Sequence, residues 1–143
     1  FEYGEEGNTR AIARAIVPAR RRRDLATTPD LTDVLAAVTN PRFLNKTLSR
    51  VFQALRIEVI DELEQLRCGL TAAIYLLCVG GRLVVISYHS LEDRLVKQLF
   101  RAAAKEEPPR LRLLTPKPVV PSAAEVADNP RARSAKLRAA EKC

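Results

Sequence analysis

Gly80-Gly81-Arg82-Leu83-Val84-Val85-Ile86-Ser87-Tyr88-His89-Ser90-Leu91-Glu92-Asp93 decides the fold class of this chain. The glycine pair ends whatever precedes it and turns the chain. Arg82 to Tyr88 then forms a compact, β-branched run. A nearly continuous apolar stretch of this kind predicts a central parallel strand covered on both faces. Ser90-Leu91-Glu92-Asp93 reads as a capping box, with Ser90 at the N-cap and Asp93 three residues on, opening a helix over about 91–104. Helix, Gly-Gly turn, buried strand and helix make the rhythm of a doubly wound α/β domain.

Upstream of the glycines, Phe52, Leu55, Val59, Leu63, Leu66, Leu70, Ile74 and Leu77 recur at steps of three or four. That spacing predicts one long helix or two consecutive ones, bent at Gly69. Further back, Thr28-Pro29-Asp30 is a start signal, with Thr28 as N-cap and Pro29 at the first helical position, for a helix to about Val38. In residues 9–17, Ile12, Ala15 and Ile16 share one helical face and Arg10 and Arg14 another. Arg20-Arg21-Arg22-Arg23 is expected to join these two short helices. Downstream, six of the nine prolines lie between Pro108 and Pro130, so that region is expected to be irregular, with one short strand within 110–115. Ser134 to Ala139 alternates as a half-exposed strand should. No internal repeat and no GxGxxG loop occurs.

The 143 residues, 47% hydrophobic, suffice for one globular core without disulfides or metals. Cys68, Cys78 and Cys143 form no CxxC pair and His89 is the sole histidine, which argues against zinc and against a stapled secreted scaffold. Cys68 and Cys78 sit in apolar surroundings and are expected in the core, in a reducing, cytoplasmic compartment. The longest apolar tract, around Leu70 to Val79, is about half of the roughly 18 residues a membrane span needs. The chain has no Met and opens on Phe1, which predicts a piece of a longer polypeptide. Its net charge of +7 divides unevenly: +3 over residues 1–60, −1 over 61–100 and +5 over 101–143. Two basic flanks around a neutral centre suit a polyanion, and nucleic acid is the natural partner.

In open α/β sheets ligands bind beyond the carboxyl ends of the strands, where Tyr88, His89 and Ser90 fall. His89 is the candidate catalytic residue, as general base or as a group that orients substrate. Tyr88 is suited to stack on a base, and Ser90 to cap a helix or touch phosphate. Capping alone also accounts for Ser90 and Asp93, and packing for Tyr88. The Arg20 to Arg23 run is suited to phosphate contacts, and equally to a solvated loop.

Three phrases carry a resemblance: Val51-Phe52-Gln53-Ala54-Leu55-Arg56-Ile57, the stretch from Gly80 to Arg94, and Asn129-Pro130-Arg131-Ala132-Arg133-Ser134-Ala135-Lys136-Leu137-Arg138. They resemble the C-terminal motifs of the bacterial RsmH (MraW) methyltransferases. Tyr3-Gly4-Glu5-Glu6 and Ile12 to Val17 resemble the same family, so the likeness covers nearly the whole chain. Ile60 stands where the family usually shows Asn, and Gly7-Asn8-Thr9 departs from its common continuation.

The resemblance implies the C-terminal half of a Rossmann-like, S-adenosylmethionine-dependent methyltransferase sheet over residues 49–143. Before it, residues 1–48 would be part of an inserted, basic α-helical domain that binds RNA. The implied reaction methylates the exocyclic N4 of a cytidine in small-subunit (16S) ribosomal RNA. The implied partner is that RNA or the small ribosomal subunit, with no membrane association. The family's glycine-rich cofactor loop, ribose-gripping acid and Asp-Leu-Gly motif precede this segment, so no residue here is assigned to S-adenosylmethionine or to a metal. Tyr88 and Ser90 are the substrate-pocket candidates, and Arg20, Arg21, Arg22, Arg23, Arg131, Arg133 and Arg138 the candidate phosphate contacts. Two other readings remain beside the enzyme: a non-catalytic RNA-binding or protein-interaction module, and a homodimer formed through an exposed strand edge.

Overall fold

The computed structural model describes residues 6–143, so Tyr3, Gly4 and Glu5 of the first motif lie outside the described residues. The chain divides into two compact units, Phe1–Glu62 and Leu63–Cys143.

The first unit is helical: α1 (Thr9–Arg22), α2 (Thr28–Ala36), a 3-10 turn at Pro41–Phe43 and α3 (Leu44–Ile60). Ile12, Leu35, Thr47 and Ile57 are its buried residues. Helix α1 runs through Pro18, so Arg20, Arg21 and Arg22 form its last turn and Arg23 its C-cap, not a connecting loop. Basic side chains oppose the partial negative charge of a helix C-terminus, which favours this extension despite the hydrogen bond Pro18 cannot make. The cap of α2 falls one residue earlier than the sequence suggests. Thr27 Oγ1 accepts from Asp30 N at 3.4 Å, while Thr27 N donates to Asp30 Oδ2 at 2.9 Å, closing a capping box. Helix α3 ends at Asp61, whose backbone is left-handed at φ 52°. The break expected at Gly69 therefore sits eight residues earlier, on one of the few residue types besides Gly that tolerates this conformation.

In the second unit, α4 (Glu62–Leu76), which starts at the boundary residue, leads to β1 (Arg82–Ser87) and then α5 (Ser90–Lys105). The rest is β2 (Leu111–Leu113), a short α6 (Ala123–Asp128), a 3-10 turn at Pro130–Ser134 and β3 (Lys136–Lys142). The turn before β1 needs its glycines. Gly80 takes φ 79°, and a Cβ on Gly81 would stand 2.8 Å from the Cys78 carbonyl oxygen. The strands are ordered β1-β3-β2, both pairings antiparallel, with Arg82 opposite Glu141 and Ser87 opposite Lys136.

The arrangement corrects the expected environment of β1. Among the described residues it is an edge strand with an antiparallel neighbour, not a central parallel one. Its inward residues Leu83 and Val85 pack on the core, whereas Val84 and Ile86 are 54% and 53% exposed. Leu70 and Ile74 from α4, Val96, Phe100 and Ala103 from α5, Leu111 and Ala140 make up that core. Phe100 is 2% exposed and Val96 1%, and each such side chain contributes about 1.5–3 kcal/mol by leaving water. Within α5, the buried apolar residues Val96, Phe100 and Ala103 recur at steps of four and three, the spacing of one helical face. Cys68, Cys78 and Cys143 are exposed and form no disulfide, which corrects the expected core placement of the first two: Cys78 lies beyond the end of α4, where Leu76 and Val79 are also exposed. The proline-rich region holds β2 as expected, and also α6, started by Ser122 Oγ accepting from Glu125 N at 3.1 Å.

Candidate functional site

The site is built where β1 ends and α5 begins. Ser87, the last strand residue, is buried, and its Oγ donates to the Lys136 carbonyl oxygen at 3.4 Å. The chain then turns through Tyr88 and His89 before the helix. The N-cap is His89, not Ser90, and the box partner is Glu92, not Asp93. Glu92 N donates to His89 Nδ1 at 3.3 Å, and Glu92 Oε2 accepts from Tyr88 N at 3.0 Å and His89 N at 3.3 Å. An imidazole nitrogen thus does the work expected of a hydroxyl, which shifts the helix start by one residue. Ser90 becomes the first helical residue and is half-buried.

That cap fixes the tautomer. Because Nδ1 accepts a hydrogen bond, the neutral ring carries its proton on Nε2. Nε2 is itself buried, 3.2 Å from Glu92 Oε1 but out of line with it, so it makes no hydrogen bond there. A buried N–H without an acceptor is costly unless something else supplies one. Tyr88, the preceding residue, is 55% exposed.

Asp93 serves a different purpose from the one its spacing suggests. Its carboxylate takes both prongs of the Arg138 guanidinium, Nε to Oδ1 at 2.6 Å and Nη2 to Oδ2 at 3.2 Å, with Lys136 Nζ 3.5 Å from Oδ2. The guanidinium holds the Asp93 carboxyl below the usual carboxylate range, against the opposing effect of burial. Arg138 is only 6% exposed and its fork is occupied, so the expected phosphate contact at this residue is corrected to an internal ion pair. Arg131 and Arg133 lie on the 3-10 turn before β3 and are exposed. Arg20, Arg21, Arg22 and Arg23 are exposed on α1 and its cap. Arg23 lies 3.7 Å from Asp30 and 3.9 Å from Asp33, while Arg20, Arg21 and Arg22 have no acidic partner among the described residues.

Sequence reasoning missed Glu92, which orders the turn, and the pairing of Asp93 with Arg138. The signal for the second was present: Arg138 shares the inward parity of Ala140 on β3, and a cation there needs a buried acid. Among the described residues no three His, Cys, Asp or Glu side chains gather to hold a metal, and no helix is long and apolar enough to cross a membrane. The glycine pair precedes β1 instead of following it, and the space beside Gly81 is filled by Cys78 and Leu77.

A small antiparallel sheet packed on helices, with a histidine-capped helix at the end of an apolar strand, places the second unit among mixed α/β proteins. The sequence narrows this to one family: residues 1–143 match the MraW methylase family throughout, and the chain belongs to it. It is 53% identical to the ribosomal RNA small subunit methyltransferase H of Thermomicrobium roseum, over 99% of this chain and 48% of that protein. Its identity to the proteins of the same description from Methylorubrum populi and Magnetococcus marinus is 48%, again over 99% of this chain, and over 45% and 50% of theirs. The chain therefore spans about half the length of the curated relatives it matches. The family is one of methyltransferases, which implies S-adenosylmethionine as methyl donor.

Proposed function

We propose that this chain is the C-terminal part of an enzyme that methylates the N4 amine of a cytidine in small-subunit (16S) ribosomal RNA in the cytoplasm. The methyl group would come from S-adenosylmethionine, held by the glycine-rich loop and ribose-gripping acid that the resemblance places before this segment. The three-stranded sheet is then the C-terminal part of a Rossmann-like sheet. The β1 edge away from β3, with Val84 and Ile86 exposed beside it, is where the remaining strands join. A second copy of the chain is the competing occupant of that edge. Sedimentation equilibrium of the full-length protein separates the two, a monomer favouring completion of the sheet and a dimer abolished by Ile86→Lys favouring self-pairing.

The observation that carries the reading is the turn of Tyr88, His89 and Ser90 at the end of an apolar strand, in a chain matched over 99% of its length by ribosomal RNA methyltransferases. With Nδ1 engaged by the cap, His89 serves as a donor instead of a general base. The exposed Tyr88 ring stacks a base withdrawn from its neighbours, and Ser90 lines the same turn. Arg20 to Arg23, with Arg131 and Arg133, take phosphates of the RNA.

His89→Asn in the full-length protein tests this. Asn is a good N-cap, so the helix start is retained while the imidazole donor is lost. Turnover on ribosomal RNA is expected to fall about 10- to 100-fold, the effect of one unsatisfied buried polar group. Unchanged turnover would remove His89 from the pocket.

A further inference from the structure

We infer that Arg138 is a positioning residue for His89, acting through Asp93. The inference rests on the reading of His89 as a pocket residue. Three connected observations support it. The Arg138 fork grips both Asp93 oxygens, at 2.6 and 3.2 Å, with Arg138 6% and Asp93 8% exposed. Asp93 lies in the first turn of α5 and its N–H donates to the His89 carbonyl oxygen at 3.2 Å. Arg138 lies on β3, whose pairing with β1 places Lys136 opposite Ser87, next to the turn that carries the imidazole. The guanidinium thus fixes the start of α5 against β3, the strand paired with the β1 from which His89 departs.

A two-pronged pair sets direction as well as distance, because a planar fork meets a carboxylate in few orientations. Its contribution to stability is a weak reason to keep it, since apolar side chains of similar volume in such places are often equally stabilising. Orientation is what an apolar replacement would not supply. Lys136, 3.5 Å from the same carboxylate, adds charge without a fork. The other groups facing the imidazole are Glu92, on its own helix, and the backbone N–H of Tyr88 through that carboxylate.

The test uses the full-length protein with labelled histidine, the His89 ring signal being assigned by its loss in His89→Asn. Arg138→Lys keeps the charge and removes the fork. Asp93→Asn is nearly isosteric and keeps its backbone bond to His89. Both are expected to move or broaden the His89 ring resonances while the Phe100 ring signals stay in place. In steady-state methylation, kcat should fall by up to about 100-fold, the effect of a misplacement near 1 Å, with the KM for RNA within about twofold of the parent. Unmoved His89 resonances in both variants would overturn the inference, as would a raised KM with kcat unchanged, the behaviour of a phosphate contact. If Arg138→Lys loses the Phe100 signals, Asp93→Asn alone decides between these outcomes. Failure of the His89 reading is seen separately, as full activity of His89→Asn.

Discussion

Arg138→Met removes one partner of the pair that links β3 to α5 and leaves Asp93 buried with only Lys136 nearby, 3.5 Å away. Breaking a buried pair from one side costs about 3–5 kcal/mol. Lys136 supplies part of the missing countercharge, so the lower end, about 3 kcal/mol, is expected. For a unit of this size that lowers Tm by at least about 12 °C. Circular dichroism during thermal and urea unfolding of the 143-residue chain measures it. Asp93→Leu added to Arg138→Met removes both charges, and the double variant should return to within about 1 kcal/mol of the parent. The pH dependence has a definite sign. Asp93 has a folded-state pKa below its unfolded value of about 3.9. Its contribution is therefore complete above that value and disappears as pH falls through the lower, folded one. The gap between parent and Arg138→Met should be widest at neutral pH and close below about pH 4. A gap that is constant with pH, or a double variant no better than the single one, would refute the electrostatic account and leave lost packing as the cause.

Phe100→Ala empties the centre of the second unit's core and should cost about 3–5 kcal/mol in urea unfolding; a loss under about 1 kcal/mol would mean that the helix does not pack there. Replacing Arg20, Arg21, Arg22 and Arg23 together by Gln should weaken binding to small-subunit ribosomal RNA and flatten the dependence of log affinity on log salt by about 2–3. The lower figures apply because Arg23 already faces Asp30 and Asp33. An unchanged slope, measured by filter binding across a salt series, would reduce the run to a solvated helix end.

The elements were legible where local chemistry decides them. The glycine pair, the β-branched run and the capping signal at 90–93 gave β1 and α5 nearly at their observed bounds. Thr and Asp in the right spacing gave α2, one residue out of place. What the sequence did not reveal was decided by partners far along the chain. Val84 and Ile86 have the same chemistry as Leu83 and Val85, and only the pairing with β3 shows which of them face the core. The α3 break fell on Asp61 because a left-handed residue need not be Gly, and composition alone does not distinguish it from Gly69. At the site, Tyr88, His89 and Ser90 do adjoin, as their order requires. Their roles were less legible. Ser90 is a commoner N-cap than His, and nothing local says that the imidazole takes that place. Arg138 read as one more surface cation until its parity on β3 placed it inside.

The order β1-β3-β2 also governs when this unit can form. The strand that lies between the other two is the last of the three to be synthesised, and Arg82 meets Glu141 only after 59 further residues. On the ribosome, β1 waits through most of the unit's synthesis with neither edge paired to β3, and contacts so distant in sequence form slowly. Helices α4 and α5, both complete long before, carry the apolar side chains able to cover the Leu83 and Val85 face in that interval. Early shielding of an aggregation-prone strand thus falls in part to the same helix that later holds His89.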